Sequence, residues 1–306
     1  MLLHFGASPN PVAINDADKP VEPTYSFRIP LFAAATGGSA ACVQLLLGAG
    51  ARSAALDING ANALMHASTA EAIHALLAVG CPLNVHDAFS RGAIDYAVGN
   101  GHGDVLFALV DAGLDINERD SSGLTPLLRY CSSLDIRADM VRTLIEAGAD
   151  VHARWFHGRS ALHVAVQLFG GDRRGRLRDV IIVLVEAGTD VNVRDDSLST
   201  PLHYAVGEEG LEVGAVRTLL ELGADPRLKN AWGQKPVDLV PDHVRMWKHI
   251  VAESPSTYQG LDMPENVLRR FQEEEKAGRL TALTAAEEAL RLLYDCQDLG
   301  HLKQAP

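Results

Sequence analysis

Twelve histidines, four cysteines, a run of arginines and a few clustered aromatics are the side chains here that could do chemistry. Metal binding needs His and Cys at ligand spacing, and nucleophilic catalysis needs a Ser, Cys or Asp beside a base. Neither pattern is present. Cys42, Cys81, Cys131 and Cys296 make no C-x-x-C pair and match no zinc spacing. No G-x-S-x-G elbow, Walker loop, dinucleotide-binding glycine fingerprint or H-E-x-x-H helix occurs. The sequence therefore predicts a protein that is not an enzyme and uses no metal and no cofactor.

Binding chemistry is better represented. Trp155 and Phe156 are adjacent large aromatics, hard to bury together and typical of a partner anchor. Arg173, Arg174, Arg176 and Arg178 crowd one short stretch. Their forked guanidinium groups could hold an acidic or phosphorylated segment, but a flexible, solvated loop is the reading the sequence favours. The formal charge of the 306-residue chain is −12. An acidic surface repels phosphate backbones, so a basic protein partner is expected rather than nucleic acid. Unpaired cysteines fit reduced structural thiols in a reducing compartment. Met1-Leu2-Leu3 lacks the flanks of a signal peptide, and the longest aliphatic run, Val180 to Val185, is too short to span a bilayer. A cytoplasmic location, or a nuclear one, is expected.

What positions these residues is a repeat. Aligned leucine-type positions are Leu31, Leu64, Ile94, Leu127, Leu162, Leu202 and Val237. Aligned glycines are Gly50, Gly80, Gly113, Gly148, Gly188 and Gly223. From each glycine to the next leucine-type position is 14 residues, as from Gly50 to Leu64, in all six cases. From each leucine-type position to its own glycine the distance varies from 16 to 26 residues. A stacked repeat needs a constant offset between units, whereas a turn inside one unit tolerates insertion. Apolar residues lie three, four and seven positions before each glycine, as in Leu220, Leu219 and Val216, which is the stripe of an amphipathic helix. Pro30, Pro126, Pro201 and Pro236 fit the first turn of a helix, with Thr125 and Thr200 as N-caps.

Three motifs carry a resemblance: Asn100-Gly101-His102-Gly103-Asp104-Val105, Gly148-Ala149-Asp150-Val151 and Thr200-Pro201-Leu202-His203. They resemble the inter-helix turn, the Gly-Ala-Asp-Val-Asn tail and the Thr-Pro-Leu-His start of the ankyrin-repeat family. The resemblance implies an all-α ankyrin-repeat solenoid. Its helix-turn-helix units would be joined by β-turn or hairpin links, and a short C-terminal helical tail would follow. The expected layout is a partial repeat remnant and extended loop over 1–26, then six full units and a cap unit over 27–251. A linker over 252–263 and a two-helix tail over 264–306 complete it. His163 and His203 would then tie neighbouring links together by hydrogen bonds.

The resemblance also implies binding through link tips and the exposed, concave face of the first helices. The tip residues are Arg119, Arg154, Trp155, Phe156 and Trp232. Tyr96, Arg129 and Tyr204 form a row two residues after their leucine positions. Packing of the tyrosines on neighbouring helices is the second reading. A monomeric, noncatalytic scaffold or adaptor for protein partners is the expected function. One alternative is the targeting or regulatory portion of a larger enzyme or channel. Another is a substrate receptor of a ubiquitin-ligase-type assembly, engaged through the tail. Leu198 departs from the pattern, standing where other links have Gly60, Gly123, Gly158 and Gly233. A left-handed backbone there would strain it.

Overall fold

The computed structural model describes residues 9–10, 29–167, 176–206 and 213–239. Two compact units are present: Met1–Tyr130 with Asp139–Asp150, and Cys131–Ala138 with Val151–Pro306. In the first, α1 (Pro30–Thr36) pairs with α2 (Ala40–Gly48), α3 (Ala63–His66) with α4 (Ala70–Leu77), and α5 (Ala93–Asn100) with α6 (Gly103–Asp111). Most of α7 (Pro126–Cys131) and α8 (Ala138–Glu146) also belongs to it. In the second, α9 (Ala161–Gln167) pairs with α10 (Arg176–Glu186), and α11 (Pro201–Ala205) with α12 (Val213–Glu221). Single 3-10 turns occupy Phe156–Gly158 and Pro236–Leu239. Among the described residues there is no strand.

The repeat alignment maps directly onto packing. All seven leucine-type positions, from Leu31 to Val237, are buried. The six closing glycines have φ between 75° and 100°, which ends each second helix without a Cβ clash. Positions seven and four before the glycine form the buried seam, as in Val216 and Leu219, except that Leu46 of α2 is half-buried. The position three before is half-buried throughout, so the inward face is rotated from the predicted stripe. The short second repeat shortens its first helix: α3 has only four residues.

Hydrogen bonds join successive links within each unit. Asn117 donates from Nδ2 to the Gly148 carbonyl and accepts from the Asp150 amide. Asn192 does the same with Gly223 and Asp225. Asn10 makes this same pair with Gly50 and Arg52, at 2.9 Å each. Asn10 therefore stands to Gly50 and Arg52 as Asn117 and Asn192 stand to their partners in later links. Of the partial repeat remnant and loop expected over 1–26, only Pro9 and Asn10 are described. Consistently, α2 exposes Leu45 by 67%, at a position that is buried or half-buried in every later repeat.

Several expectations are corrected. Arg176 and Arg178 are not in a loop; they open α10, where a long unbranched side chain is well tolerated. Arg178 faces Glu221 at 3.4 Å and Arg176 faces Asp135 at 3.9 Å. Arg173 and Arg174 lie outside the described residues, as do the linker, the tail and most of 1–26. The cap unit begins with a 3-10 turn, and its later helix is likewise outside. Cys81 and Cys131 are buried as structural thiols, but Cys42 is exposed. Burial pushes the Cys81 thiol up to about 11, so it stays protonated. Thr200 is, as expected, the N-cap of α11: its amide donates to His203 Nδ1 in a capping box, and its hydroxyl meets the same nitrogen at 2.9 Å.

The two tie histidines hold one tautomer. The Ser160 amide donates to His163 Nδ1, so Nε2 carries the proton and donates to the Ser199 carbonyl at 3.0 Å. The Thr200 amide and the Gln234 carbonyl hold His203 in the same way. Burial depresses the His163 pKa to about 4, while its bond to Ser199 works the other way. The unfolded chain therefore binds the proton more readily than the fold does. The contribution of His163 is complete above the unfolded value of 6.5 and is lost as pH falls from there to about 4. The loss is roughly 3 kcal/mol on this shift. Melting temperature should fall across that window, and the gap between the native chain and a His163→Gln variant should shrink with it. A gap independent of pH would refute the assignment.

Candidate protein-interaction site

Each link is built around one side chain. The amides of Asp57, Asp87, Asp120, Asp195 and Asn230 each donate to the carbonyl four residues on, at 2.8–3.0 Å. Their Oδ1 atoms accept the amides two and four residues on, at 2.7–3.0 Å. The result is a hairpin with a fixed internal count. The residue three on has positive φ: Gly60, Gly123 and Gly233, but also Ser90 at 58° and Leu198 at 57°.

The second carboxylate oxygen of each aspartate reaches nine residues on, into the first helix. Asp57 meets His66 at 3.1 Å, Asp87 meets Tyr96 at 2.9 Å, and Asp195 meets Tyr204 at 2.7 Å. Asp120 pairs with Arg129, which also meets Asp95 at 3.2 Å. Burial, and donation to these carboxylates, push both tyrosines up to about 12. Burial works against ionisation of Asp87, yet the Arg91, Tyr96 and Phe89 donors outweigh it and hold its pKa below the usual value. The Asp95 carboxyl is raised by burial, against the pull of the Gly92 amide and of Arg129. Tyr96, Arg129 and Tyr204 thus direct their polar ends to link carboxylates, a role the sequence spacing did not reveal.

One link breaks the rule. Trp155 stands where the others have Asp or Asn, and the residue nine on is buried Val164. With no side-chain acceptor for the third amide of the turn, His157 flips to φ 59°. Gly158 is favoured by its φ of 69°; an added Cβ would also meet Asp196 Oδ1 at 2.3 Å, a clash that rotation of this exposed side chain relieves. Trp155 is half-buried, whereas Phe156 is 60% exposed, with ring centroids 5.7 Å apart. Only Phe156 of the pair is displayed, because the tryptophan occupies the inward brace position.

The remaining tip residues are placed as follows. Trp232 is 70% exposed. Arg119 donates to the Gly123 carbonyl, and Arg154 donates to the carbonyls of Gly158 and Arg194. Tyr96, Arg119 and Arg129 are in the first unit; Arg154, Trp155, Phe156, Tyr204 and Trp232 are in the second. As exposed tip residues, Arg194 was missed by sequence reasoning and Leu198 was read only as a strained position. Aligning links on the brace would have found both, since Arg194 falls in a column with Arg119, Arg154 and Lys229. Among the described residues no group of three or more His, Cys, Asp or Glu could hold a metal ion, and no helix is long and apolar enough to cross a membrane.

Two substitutions test the link geometry. Tyr204→Phe removes a donor from a buried carboxylate and should cost about 2 kcal/mol. Tyr96→Phe should cost less, because Arg91 still meets the same oxygen of Asp87. Equal losses in denaturant titration would contradict the brace. Leu198→Gly should relieve left-handed strain of about 1–2 kcal/mol, less the entropy of a more flexible unfolded chain. A melting temperature that does not rise would refute it.

Comparison with known proteins gives a consistent picture. A family model of ankyrin repeats in three copies matches residues 68–154 and 94–195, and a single ankyrin repeat matches 198–231. The chain is similar to NF-kappa-B inhibitor zeta of Bos taurus, 27% identical over 203 residues, covering 55% of this chain and 27% of that protein. The match thus spans about a quarter of that relative's length. Similarity to the ankyrin repeat protein YahD of Escherichia coli (strain K12) is 30% over 166 residues, covering 53% of this chain and 79% of that one. The crystal structure of the ankyrin repeat domain of Bcl-3 superposes with a TM-score of 0.56 at 27% identity, over 69% of this chain and 93% of that one. Helix pairs, hairpin links and family matches over more than half of its length agree: the chain belongs to the ankyrin-repeat family, whose repeats bind protein partners.

Proposed function

We propose that the chain is a noncatalytic protein-interaction scaffold whose partner docks chiefly on the link tips. The observation that carries this is the Trp155–Phe156 link. It forgoes the brace used by the other five links and holds a nonglycine residue, His157, in a left-handed turn. A local rule broken at a cost is most often broken at a functional position. The displayed Phe156 is a large, rigid anchor of the kind that dominates interfaces. The expected row of Tyr96, Arg129 and Tyr204 contributes less in this reading, because its polar ends are engaged within the fold. A name such as NF-kappa-B inhibitor zeta describes a protein that acts on another protein, which favours the same class.

The test is affinity purification with the intact chain, a Trp155→Ala/Phe156→Ala variant, and a Phe156→Ser variant that spares the half-buried tryptophan. Circular dichroism melts establish that each is folded. At least one captured protein should fall about tenfold with both variants, the scale of one interface hot spot. Undiminished capture by both would remove this patch from the site.

A further inference from the structure

Charge is distributed unevenly over the links. The three tips of the second unit, over 154–159, 194–199 and 229–235, hold Arg154, Arg159, Arg194, Lys229 and Lys235 against Asp195 and Asp196. Asp195 is buried and spends its carboxylate on Tyr204, Ser197 and Ser199. Arg154, Arg194 and Lys229 occupy one column, immediately before the brace position, and all three are exposed. The same column in the first unit reads Leu56, His86 and Arg119. In a chain of net charge −12, this is a local reversal of sign.

Apolar anchors stand beside the cations. Phe156, Leu198 and Trp232 are exposed on the same three tips. Backbone hydrogen bonds join the tips to one another, Asp196 N to His157 O at 2.9 Å and Ala231 N to Ser197 O at 2.8 Å. The ledge is therefore fixed in register. Below it, a cleft of about 550 Å3 is lined by His152, Arg154, Thr189, Asn192, Arg194 and Leu228 among others. Thr189 is 4% exposed, and its hydroxyl has no partner. It stands where neighbouring repeats have alanine, as at Ala149 and Ala224.

We propose that this ledge binds an extended acidic segment of a partner protein, with Asp or Glu side chains on the arginine–lysine column and apolar side chains on Phe156, Leu198 and Trp232. The inference rests on the tip-docking reading and names the chemistry of the partner. Neighbouring helices pack about 10 Å apart, so the tips that precede successive first helices recur at about that spacing, which equals about three residues of extended chain. The preferred sequence therefore repeats an acidic residue at about every third position. The charge of the whole molecule would favour a basic partner, but at an ionic strength of about 0.15 M fields die away within about 8 Å, so the local cations decide.

The probe is a fluorescein-labelled peptide of repeated Glu-Leu-Ser triplets, with Lys-Leu-Ser as its counterpart, titrated with the full chain by fluorescence anisotropy. The acidic peptide should bind and the basic one should not. Arg194→Glu with Lys229→Glu should weaken binding about tenfold or more, since each reversal removes an attraction and adds a repulsion. Phe156→Ser with Trp232→Ser should weaken it similarly. Arg142→Glu, on α8 in the first unit, should leave it unchanged. Equal binding of both peptides, or no effect of the Arg194/Lys229 reversal, would overturn the proposal. If captured proteins are lost with Phe156→Ser while the acidic peptide neither binds nor competes, tip docking stands and the acidic chemistry fails. If capture is also insensitive to Phe156, both fail.

Discussion

A single side-chain oxygen sets the geometry of the links. Oδ1 of Asp57, Asp87, Asp120, Asp195 or Asn230 accepts two amides of the turn, while the backbone of the same residue closes the hairpin. Four of these five acceptors are carboxylates, and charge-assisted bonds to an ionised acceptor are roughly twice as strong as neutral ones. Each bond specifies a sequence offset of two, three or four residues. Together they disfavour insertion within the turn, and the Trp155 link, which lacks the Oδ1 bonds, keeps the same length with the backbone bond from its amide to the Arg159 carbonyl. Length variation moves to the turn inside the helix pair, where α3 is cut to four residues and where α10 follows a longer stretch.

The brace also links the turn to the helix that follows. Where the acceptor is an aspartate, the residue nine positions on is His66, Tyr96, Arg129 or Tyr204, each able to donate to the second oxygen. Where the brace residue carries no charge, at Trp155 and Asn230, the residue nine on is Val164 or Leu239. A buried carboxylate oxygen left without a donor is costly, and so is a buried donor facing an indole. The two positions therefore change character together within one chain. This makes the row of polar residues on the first helices a structural feature first, and it shifts the binding question to the tips.

Much of the fold was legible because its signals recur at fixed spacing. The leucine-type column, the closing glycines and the His163 and His203 ties all follow from aligned positions, and the positive φ at Leu198 follows from the glycines that replace it elsewhere. The site was less legible. A hydrogen bond across nine residues appears only once the hairpin folds back on the helix, so Tyr96 and Tyr204 read as surface aromatics. Trp155 read as half of an exposed pair because its position in the turn was not compared with Asp120 or Asp195. Arg176 and Arg178 read as loop residues because a charge run has no period, yet α10 begins at the first of them.

Net charge is a weak guide to what any one face of a chain binds, for a physical reason. A repeat stack is long relative to the screening distance in salt, so distant carboxylates contribute little at any one tip. A segment docked on the tips, as proposed, would meet the column of side chains within a few ångströms, and in the second unit that column is Arg154, Arg194 and Lys229. These cations sit one residue before the brace, where a change of residue type leaves the Oδ1 bonds untouched. Phe156, Ala231 and Trp232 lie within the turn but point no acceptor into it, so they too vary without altering the hairpin. The positions free to vary are thus the ones displayed, and the ones that hold the link are hidden. If the tips bind the partner as proposed, specificity falls to the small set of residues that the brace leaves unconstrained, and to the described link that has no brace.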